Sequence, residues 1–183
     1  YESKKSGEKF TRLLLVEGYM DVIALAQMGI RNAVATLGTA TSARHLTRMF
    51  RAVSEVVFCF DGDTAGRNAA WRALETSLPL MEDGRRVRFL FLPDGEDPDT
   101  RVRSIGTEGF LQEIEQATPL EQFFFDKLSE GVDIQSIEGK AQLSDMAKPL
   151  IRLFPKGVYG QLMLNKLSET LGISSESLDQ LLA

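Results

Sequence analysis

The feature of the sequence that most constrains its fold is a regular alternation of apolar runs and helical segments over residues 12–118. The apolar runs have almost no polar interruption, which is typical of strands buried on both faces of a parallel sheet. They occupy residues 12–18, 32–38, 55–60 and 86–93, and helical spacing occupies 19–29, 41–53, 64–81 and the start of a short helix at 97–106. Because strands and helices that alternate in this way form a sheet covered by helices, we predict an α/β fold with a mainly parallel sheet and helices on both faces.

The second part of the chain has a different sequence pattern. From Pro119 onward, helical stretches are interrupted by glycine and proline, and no strand-like run occurs. Residues 1–11 are polar and charged, which indicates a linker. We therefore predict a linker at 1–11, an α/β domain at 12–118 and a small all-helical subdomain at 119–183.

Composition excludes several classes of protein. No apolar run approaches the length of a membrane span. A single cysteine, Cys59, and a single histidine, His45, leave no means to form an internal disulfide, a cysteine zinc cluster or a histidine-based triad. The net charge of −5 gives no positive surplus for nucleic-acid binding, although metal ions supply positive charge at some sites.

Acidic residues follow three of the predicted strands. Glu17 ends the first, Asp61 and Asp63 follow the third, and the fourth is followed by Asp94, Glu96, Asp97 and Asp99. In a parallel alternating sheet these strand ends lie on one edge, where ligands bind. Asp21 lies one helical turn beyond Glu17 and faces the same edge. The sequence therefore predicts a carboxylate cluster.

Carboxylates this close together raise one another's pKa unless a cation is present. Carboxylate ligands suit a hard cation such as Mg²⁺ or Mn²⁺. A pair of such ions can bind a nucleotide's phosphates and stabilise both the attacking and the leaving oxygen. Glu17 could instead act as a general base or acid on a hydroxyl, and Arg67, in the first turn of the helix after Asp63, could contact a phosphate.

Each acid also has a purely structural interpretation. Asp-Gly is a common turn dipeptide, and Asp63 could cap the helix that starts at Thr64. Asp97 could cap the next helix, with Pro98 at its first position. Only the coincidence of all these acids on one predicted edge favours a functional site.

The motifs that carry these acids resemble a known family. "VEGYMDV", "FDGDTAGRNAA", "GEDPDT" and "VATLGTA" at 34–40 are similar to the Toprim domain of bacterial DnaG-type primases over residues 12–118. The segment after it, which includes "TPLEQFFFDKL", is similar to the helical subdomain that follows Toprim in those primases.

The resemblance implies a function and its residues. It implies divalent-metal-dependent nucleotidyl transfer, by which a DNA-directed RNA polymerase makes short RNA primers on single-stranded DNA during replication. It implies two or more Mg²⁺ or Mn²⁺ ions, and as partners the template, ribonucleoside triphosphates and the RNA–DNA hybrid. The implied catalytic residues are Glu17, Asp61 and Asp63, and the implied metal ligands are these three with Asp21, Asp97 and Asp99.

Other primase parts are not recognisable in this sequence. We expect zinc only in an amino-terminal domain outside it, and contact with the replicative helicase through a separate carboxyl-terminal domain. The chain starts at Tyr1 and lacks a basic template-gripping subdomain, so we expect a monomeric piece that binds metal and nucleotide but primes poorly by itself. The expected location is the cytoplasm, at the replication fork and nucleoid.

Other interpretations remain open from the residues. A non-catalytic Toprim module that binds DNA or a partner would lack the full set of acids. A metal-dependent Toprim nuclease would cleave single-stranded DNA in the presence of metal. The row Arg44, Arg48 and Arg51 could contact phosphates, although a solvated helix face is favoured. Residues 123–125, three adjacent phenylalanines, could stack on bases, although an anchor in a core is favoured.

Overall fold

The computed structural model describes residues 10–36 and 40–182. The expected linker lies outside these residues except for Phe10 and Thr11, as does the centre of the 34–40 motif. Two compact units are present: a sheet unit, formed by the described parts of 1–76 and 85–120, and a helical unit, formed by those of 77–84 and 121–183. No helix in the described ranges is both long enough and apolar enough to cross a membrane.

The sheet unit contains five strands in the order β2-β1-β3-β4-β5. The first four are parallel, and β5 is antiparallel to β4. Their bounds are β1 Arg12–Val16, β2 Ala33–Ala35, β3 Glu55–Phe60, β4 Arg86–Phe91 and β5 Thr118–Pro119. The sequence did not reveal β5, because two residues are too few to show a strand period. Its proline is compatible with an edge strand, which needs fewer N–H donors.

Helices cover both faces of this sheet, as predicted. The helices of the sheet unit are α1 Tyr19–Gln27, α2 Ala43–Phe50, α3 Thr64–Ser77 and α4 Pro98–Glu115. On one face, alternate strand residues pack with side chains of α1 and α4. Their neighbours in each strand are also buried and point to the opposite face, where right-handed crossovers place α2 and α3. The first core comprises Leu14, Val16, Val57, Cys59, Leu90 and Leu92 with Leu25, Val102, Phe110 and Ile114.

Several predicted boundaries shift for physical reasons. The helix predicted over 64–81 ends at Ser77 and continues as a 3₁₀ turn at Leu78–Leu80, since Pro79 lacks the N–H that an α-helix needs. The short helix predicted from residue 97 extends as α4 to Glu115, with a break at Gly106, whose φ is 76°.

The helical unit contains only helices, as predicted. They are α5 Leu120–Ser129, which starts at the unit boundary, α6 Ile137–Ile151, α7 Val158–Leu171 and α8 Ser175–Leu182. Residues 123–125 are all buried, so the interpretation of these phenylalanines as a core anchor is confirmed. Asp83 caps α7 from far away in the sequence, because its carboxylate accepts hydrogen bonds from the N–H groups of Val158 at 3.0 Å and Tyr159 at 2.8 Å.

Candidate active site at the carboxyl edge of the sheet

The strand order creates a crevice at the carboxyl ends of β1 and β3. The chain leaves β1 through α1 toward β2 on one side, and it leaves β3 through α3 toward β4 on the other side. Connections that diverge in this way leave a crevice between neighbouring strands, which is where α/β sheets bind ligands. Glu17 directly follows β1 and Asp61 directly follows β3. The pairing of Leu15 with Phe58 puts these two acids within about one residue of the same level.

The acids at this edge act on one another electrostatically. The pKa of Glu17 is raised by partial burial and then by the charges of Asp61, Asp21 and Asp63. The pKa of Asp61 is raised by partial burial, and then by Asp63, Asp97 and Asp94.

Asp21 joins the same set from α1. Its pKa is raised by partial burial and by the charges of Asp97, Asp61 and Asp99, against the opposing hydrogen bond from the N–H of Gly18. The acids predicted from distant parts of the sequence therefore lie near enough to interact. We call Glu17, Asp21, Asp61, Asp63, Asp97 and Asp99 the acid cluster.

Besides Asp21, which accepts a hydrogen bond from the N–H of Gly18 at 3.3 Å, three further members of the acid cluster have structural partners. Asp63 Oδ1 accepts a hydrogen bond from the N–H of Gly66 at 2.6 Å, in the first turn of α3. Asp97 Oδ1 caps α4 by accepting from the N–H of Thr100 at 2.7 Å, and the Thr100 bonds hold the pKa of Asp97 below its usual range. Asp99 pairs with Arg103 at 2.6 Å. The capping interpretations and the cluster interpretation therefore apply to the same residues.

The other three members, Glu17, Asp21 and Asp61, form no ion pair with any lysine or arginine in the described ranges. Within those ranges, no group of three or more His, Cys, Asp or Glu side chains is already close enough together to hold a metal ion. The donor set nevertheless fits a hard cation, since it consists of carboxylate oxygens whose charged forms disfavour one another. A divalent ion would offset that cost.

Two glycines allow the acidic loops to pack closely. A Cβ at Gly66 would overlap the carbonyl oxygen of Asp61, and a Cβ at Gly62 would overlap the carbonyl oxygen of Leu92. Glycine is therefore required where α3 starts beneath Asp61 and where the loop after β3 contacts the loop after β4. In the sequence, both glycines stand out only as parts of the motif "FDGDTAGRNAA".

An arginine that the sequence analysis missed holds the third acidic segment. Arg101 Nε lies 3.1 Å from both carboxylate oxygens of Glu113, and Arg101 Nη1 lies 3.3 Å from Glu96. This clamp joins the start of α4, which carries Asp97 and Asp99, to the part of the helix after the break. No local pattern marks it, because Arg101 and Glu113 are twelve residues apart.

The remaining predicted residue, Arg67, is exposed in the first turn of α3. Its guanidinium carbon lies 4.9 Å from the ring centroid of Phe91, the last residue of β4. This contact holds the arginine at the carboxyl edge of the sheet, and its role with phosphate stays a prediction. Cys59 is buried, and burial raises the pKa of its thiol, as expected for a core residue rather than a reactive one.

Comparisons with known proteins match both units. A Toprim-like family model matches residues 14–102, and the model described as the DnaB-helicase binding domain of primase matches residues 121–176. The DNA primase of Pseudomonas putida is 54% identical over 182 residues, which are 99% of this chain and 28% of that protein. The chain belongs to the DNA primase family.

Solved structures of family members agree with this assignment. A DNA primase domain from Pseudomonas aeruginosa is 54% identical, with a TM-score of 0.95 over 100% of this chain and 57% of that one. A DnaG primase catalytic domain bound to single-stranded DNA is 51% identical, with a TM-score of 0.92 over 97% of this chain and 56% of that one. The family uses divalent metal ions generally.

The chain spans less than a third of the length of the curated primases that it matches. From the sequence, helicase contact is expected through a carboxyl-terminal domain outside this chain. The match at 121–176 carries a helicase-binding description on the helical unit itself.

Proposed function

We propose that the chain is the catalytic-core part of a DNA primase, a nucleotidyltransferase with DNA-directed RNA polymerase activity. The observation that carries the proposal is the convergence of Glu17 and Asp61 at the crevice between β1 and β3, where partial burial and neighbouring acids raise the pKa of both. Residues 12–118 form the catalytic Toprim domain in this proposal, and residues 119–183 form the helical subdomain.

The acid cluster would hold Mg²⁺ or Mn²⁺, in two or more positions. The bound ions would neutralise the triphosphate and stabilise the oxygens that attack and leave. Glu17, Asp61 and Asp63 are the proposed catalytic residues, and Asp21, Asp97 and Asp99 complete the ligand set. The raised pKa of Glu17 also suits it to exchange a proton with the hydroxyl of the growing primer.

The structure supports distinct roles for the neighbouring groups. Gly62 and Gly66 keep the acidic loops in close contact, and Arg101 fixes the segment that carries Asp97 and Asp99. Arg67, held over Phe91, is positioned to bind a phosphate of the incoming nucleotide.

The proposed partners are single-stranded DNA, ribonucleoside triphosphates and the RNA–DNA hybrid. Support for the template comes from a family member solved with single-stranded DNA. The replicative helicase is a further proposed partner, supported by the match at residues 121–176. These partners place the protein at the replication fork in the cytoplasm.

A calorimetric titration with MnCl₂ tests the metal site in this chain. We expect the parent to bind Mn²⁺, and Glu17→Gln or Asp61→Asn to weaken that binding by at least tenfold, because each removes a charged ligand. Glu115→Gln is the matched control, since Glu115 lies at the opposite edge beside Arg12. Equal Mn²⁺ affinity in all four proteins would contradict the assignment of the site.

A chimera tests the activity. In it, this chain replaces the matching segment of the Pseudomonas putida primase, and primer synthesis is measured on single-stranded DNA. We expect Glu17→Gln to lower the rate by about 10²- to 10⁴-fold, the usual contribution of a proton-transferring or ligand group. Unchanged priming by that variant would support a non-catalytic module, and metal-dependent cleavage of the template without priming would support a nuclease.

A further inference from the structure

Helix α2 and the residue that caps its C-terminus present an exposed row of three arginines, Arg44, Arg48 and Arg51. Their spacing of four and three residues puts them on one face of the helix. Leu46 is fully buried and lies on the opposite face, and α2 contacts β3. The arginine row therefore faces away from the sheet, into solvent.

The arginine row lies in a stretch of the sequence that contains basic residues but no acidic ones. Between Asp21 and Glu55 there are four arginines and no Asp or Glu, although the whole chain has a net charge of −5. None of the three arginines forms an ion pair with an acid in the described ranges. At the end of α2, the guanidinium carbon of Arg85 lies 5.0 Å from the ring centroid of Phe50, which adds a fourth cation there.

The direction of α2 connects the row to the acid cluster. The helix joins the carboxyl end of β2 to the amino end of β3. Arg44 therefore lies toward the edge that carries the acid cluster, and Arg51 lies toward the opposite edge. From Arg44 to Arg51 the helix rises about 10 Å, which is enough to contact two or three successive phosphates of an extended strand.

We propose that the arginine row binds the phosphodiester backbone of single-stranded DNA and guides it along the outer face of α2, toward or away from the crevice. This inference rests on the proposed function, which makes a single strand the substrate. Helical spacing alone favours a solvated face for these arginines. The absence of Asp and Glu from residues 22–54, and the start of α2 at the edge that carries the acid cluster, favour a phosphate-binding surface.

Salt dependence of binding gives a direct test. Neutralising a phosphate of a single strand contributes about 0.7 to the slope of log affinity against log salt, so three contacts contribute about 2. Affinity of this chain for a labelled oligo-dT of about 20 nucleotides would be measured by fluorescence anisotropy in EDTA, from about 50 to about 200 mM salt. EDTA removes any contribution from ions at the acid cluster.

Three variants would be compared with the parent. Arg44→Gln/Arg48→Gln/Arg51→Gln removes the row, and the matching triple lysine variant keeps its charge. Lys140→Gln/Lys148→Gln/Lys156→Gln removes the same charge from the helical unit. Gln and Lys both favour helix, and circular dichroism confirms that each variant is folded.

For the glutamine variant of the row, we expect the slope of log affinity against log salt to be smaller by about 2. Raising the salt from about 50 to about 200 mM should therefore weaken its binding about 20-fold less than that of the parent. The lysine variant and the helical-unit control should retain the parental slope. No measurable parental binding at about 50 mM salt, an unchanged slope, or an equal loss in the control overturns the proposal. The proposal is also overturned if the glutamine variant of the row binds duplex DNA more weakly than the parent but binds single-stranded DNA equally well. None of these readouts depends on priming or on Glu17, so the row and the proposed catalysis can fail separately.

Discussion

Acidic side chains at the two edges of the sheet have charged neighbours of opposite sign. At the amino edge, Glu55 is only 3% exposed, yet it pairs with Arg12 and, at 3.0 Å, with Arg88. Arg12 also binds Glu115 at 2.6 Å. At the carboxyl edge, Glu17 and Asp61 are more exposed, but their nearest charged neighbours are other acids, and the pKa of both is raised.

The difference shows that partners, more than burial, decide whether an acid stabilises this fold. The buried carboxylate of Glu55 pairs with Arg12, with Arg88 and, at 4.0 Å, with Arg86, and so joins β1, β3 and β4 at one edge. The fold can then tolerate repulsion at the other edge. Groups with perturbed pKa values cluster at functional sites, because burial and neighbouring like charges are arranged there to shift them. The cost at the carboxyl edge is consistent with a site that is completed by a cation.

The largest expected effect comes from removing the charge of Glu55. Glu55→Gln should lower the free energy of unfolding by about 2–4 kcal/mol, because it leaves the two less exposed guanidinium groups, those of Arg12 and Arg88, without their shared charged partner. The value lies below that of a fully buried pair, since Arg12 and Arg88 keep 21% and 26% of their side-chain surface exposed. Urea unfolding measures it, and Mn²⁺ affinity should not change.

Glu115→Gln is the control at the same edge. Glu115 is 67% exposed, so water replaces the lost interaction and the loss should be clearly smaller. If Glu55→Gln and Glu115→Gln lowered the free energy of unfolding equally, the difference in burial would not distinguish the two acids.

The next effect tests the close packing of the carboxyl edge. Gly66→Ala should lower the free energy of unfolding by about 1–3 kcal/mol, since the new Cβ overlaps the carbonyl oxygen of Asp61. Because the loop that carries Asp61 must move, Mn²⁺ binding should also weaken. Gly109→Ala is the matched helical control, as its Cβ would lie 3.2 Å from the Cβ of Ile105, a close contact but without the overlap with a backbone oxygen that occurs at Gly66. A Gly66→Ala protein as stable as the parent would show that the loop adjusts freely.

A smaller effect is expected for Asp83, an exposed acid with hydrogen-bond partners. It tests whether partners let such an acid stabilise the fold, as they do for the paired acids of the amino edge. Hydrogen bonds from the N–H groups of Tyr159 and Val158 hold the pKa of Asp83 below its usual range. A carboxyl group whose pKa is lower in the folded state stabilises the fold fully above its unfolded pKa of about 4. That contribution is lost as the pH falls through the folded pKa.

Asp83→Ala should therefore lower the Tm at neutral pH, and the electrostatic part of the difference from the parent should shrink only below about pH 4. Thermal melts from pH 7 downward measure this change. Asp145→Asn, which removes an exposed charge from the middle of α6, is the control and should show no such dependence. A constant difference across the whole pH range would count against the charge of Asp83.

The smallest effect is expected for the exposed pair at the start of α4. Asp99 and Arg103 are 2.6 Å apart and are 41% and 58% exposed. Arg103→Gln should change the free energy of unfolding by less than about 0.5 kcal/mol, because exposed pairs one helical turn apart contribute little. Urea unfolding at low and high salt checks this, and a loss similar to that of Glu55→Gln would remove the contrast between the two edges.

Much of the fold could be predicted because its local signals are strong. Strand β3 occupies the residues predicted from its unbroken apolar run, and α2, capped by Ser42, lies within the helical spacing predicted over 41–53. The part of α4 after Gly106 was missed, since a glycine at that position also ends helices. The acid cluster could be predicted because topology alone brings strand ends to one edge.

The rest depends on contacts that no local pattern marks. Glu55 meets Arg12 across 43 positions, Arg101 meets Glu113 across the break in α4, and Asp83 caps a helix 75 positions away. Each is an ordinary charged residue in the sequence. Only its neighbours in space give it a role.

By itself, the sequence determined the order and type of the elements and the set of acids available for a metal site, because burial of apolar side chains imposes a period that can be read along the chain. The tertiary structure decided which acids have cationic partners and in which direction the pKa of each is shifted. Electrostatic energy depends on distance in space and on access to solvent, and neither quantity exists until the strands are paired and the helices are packed.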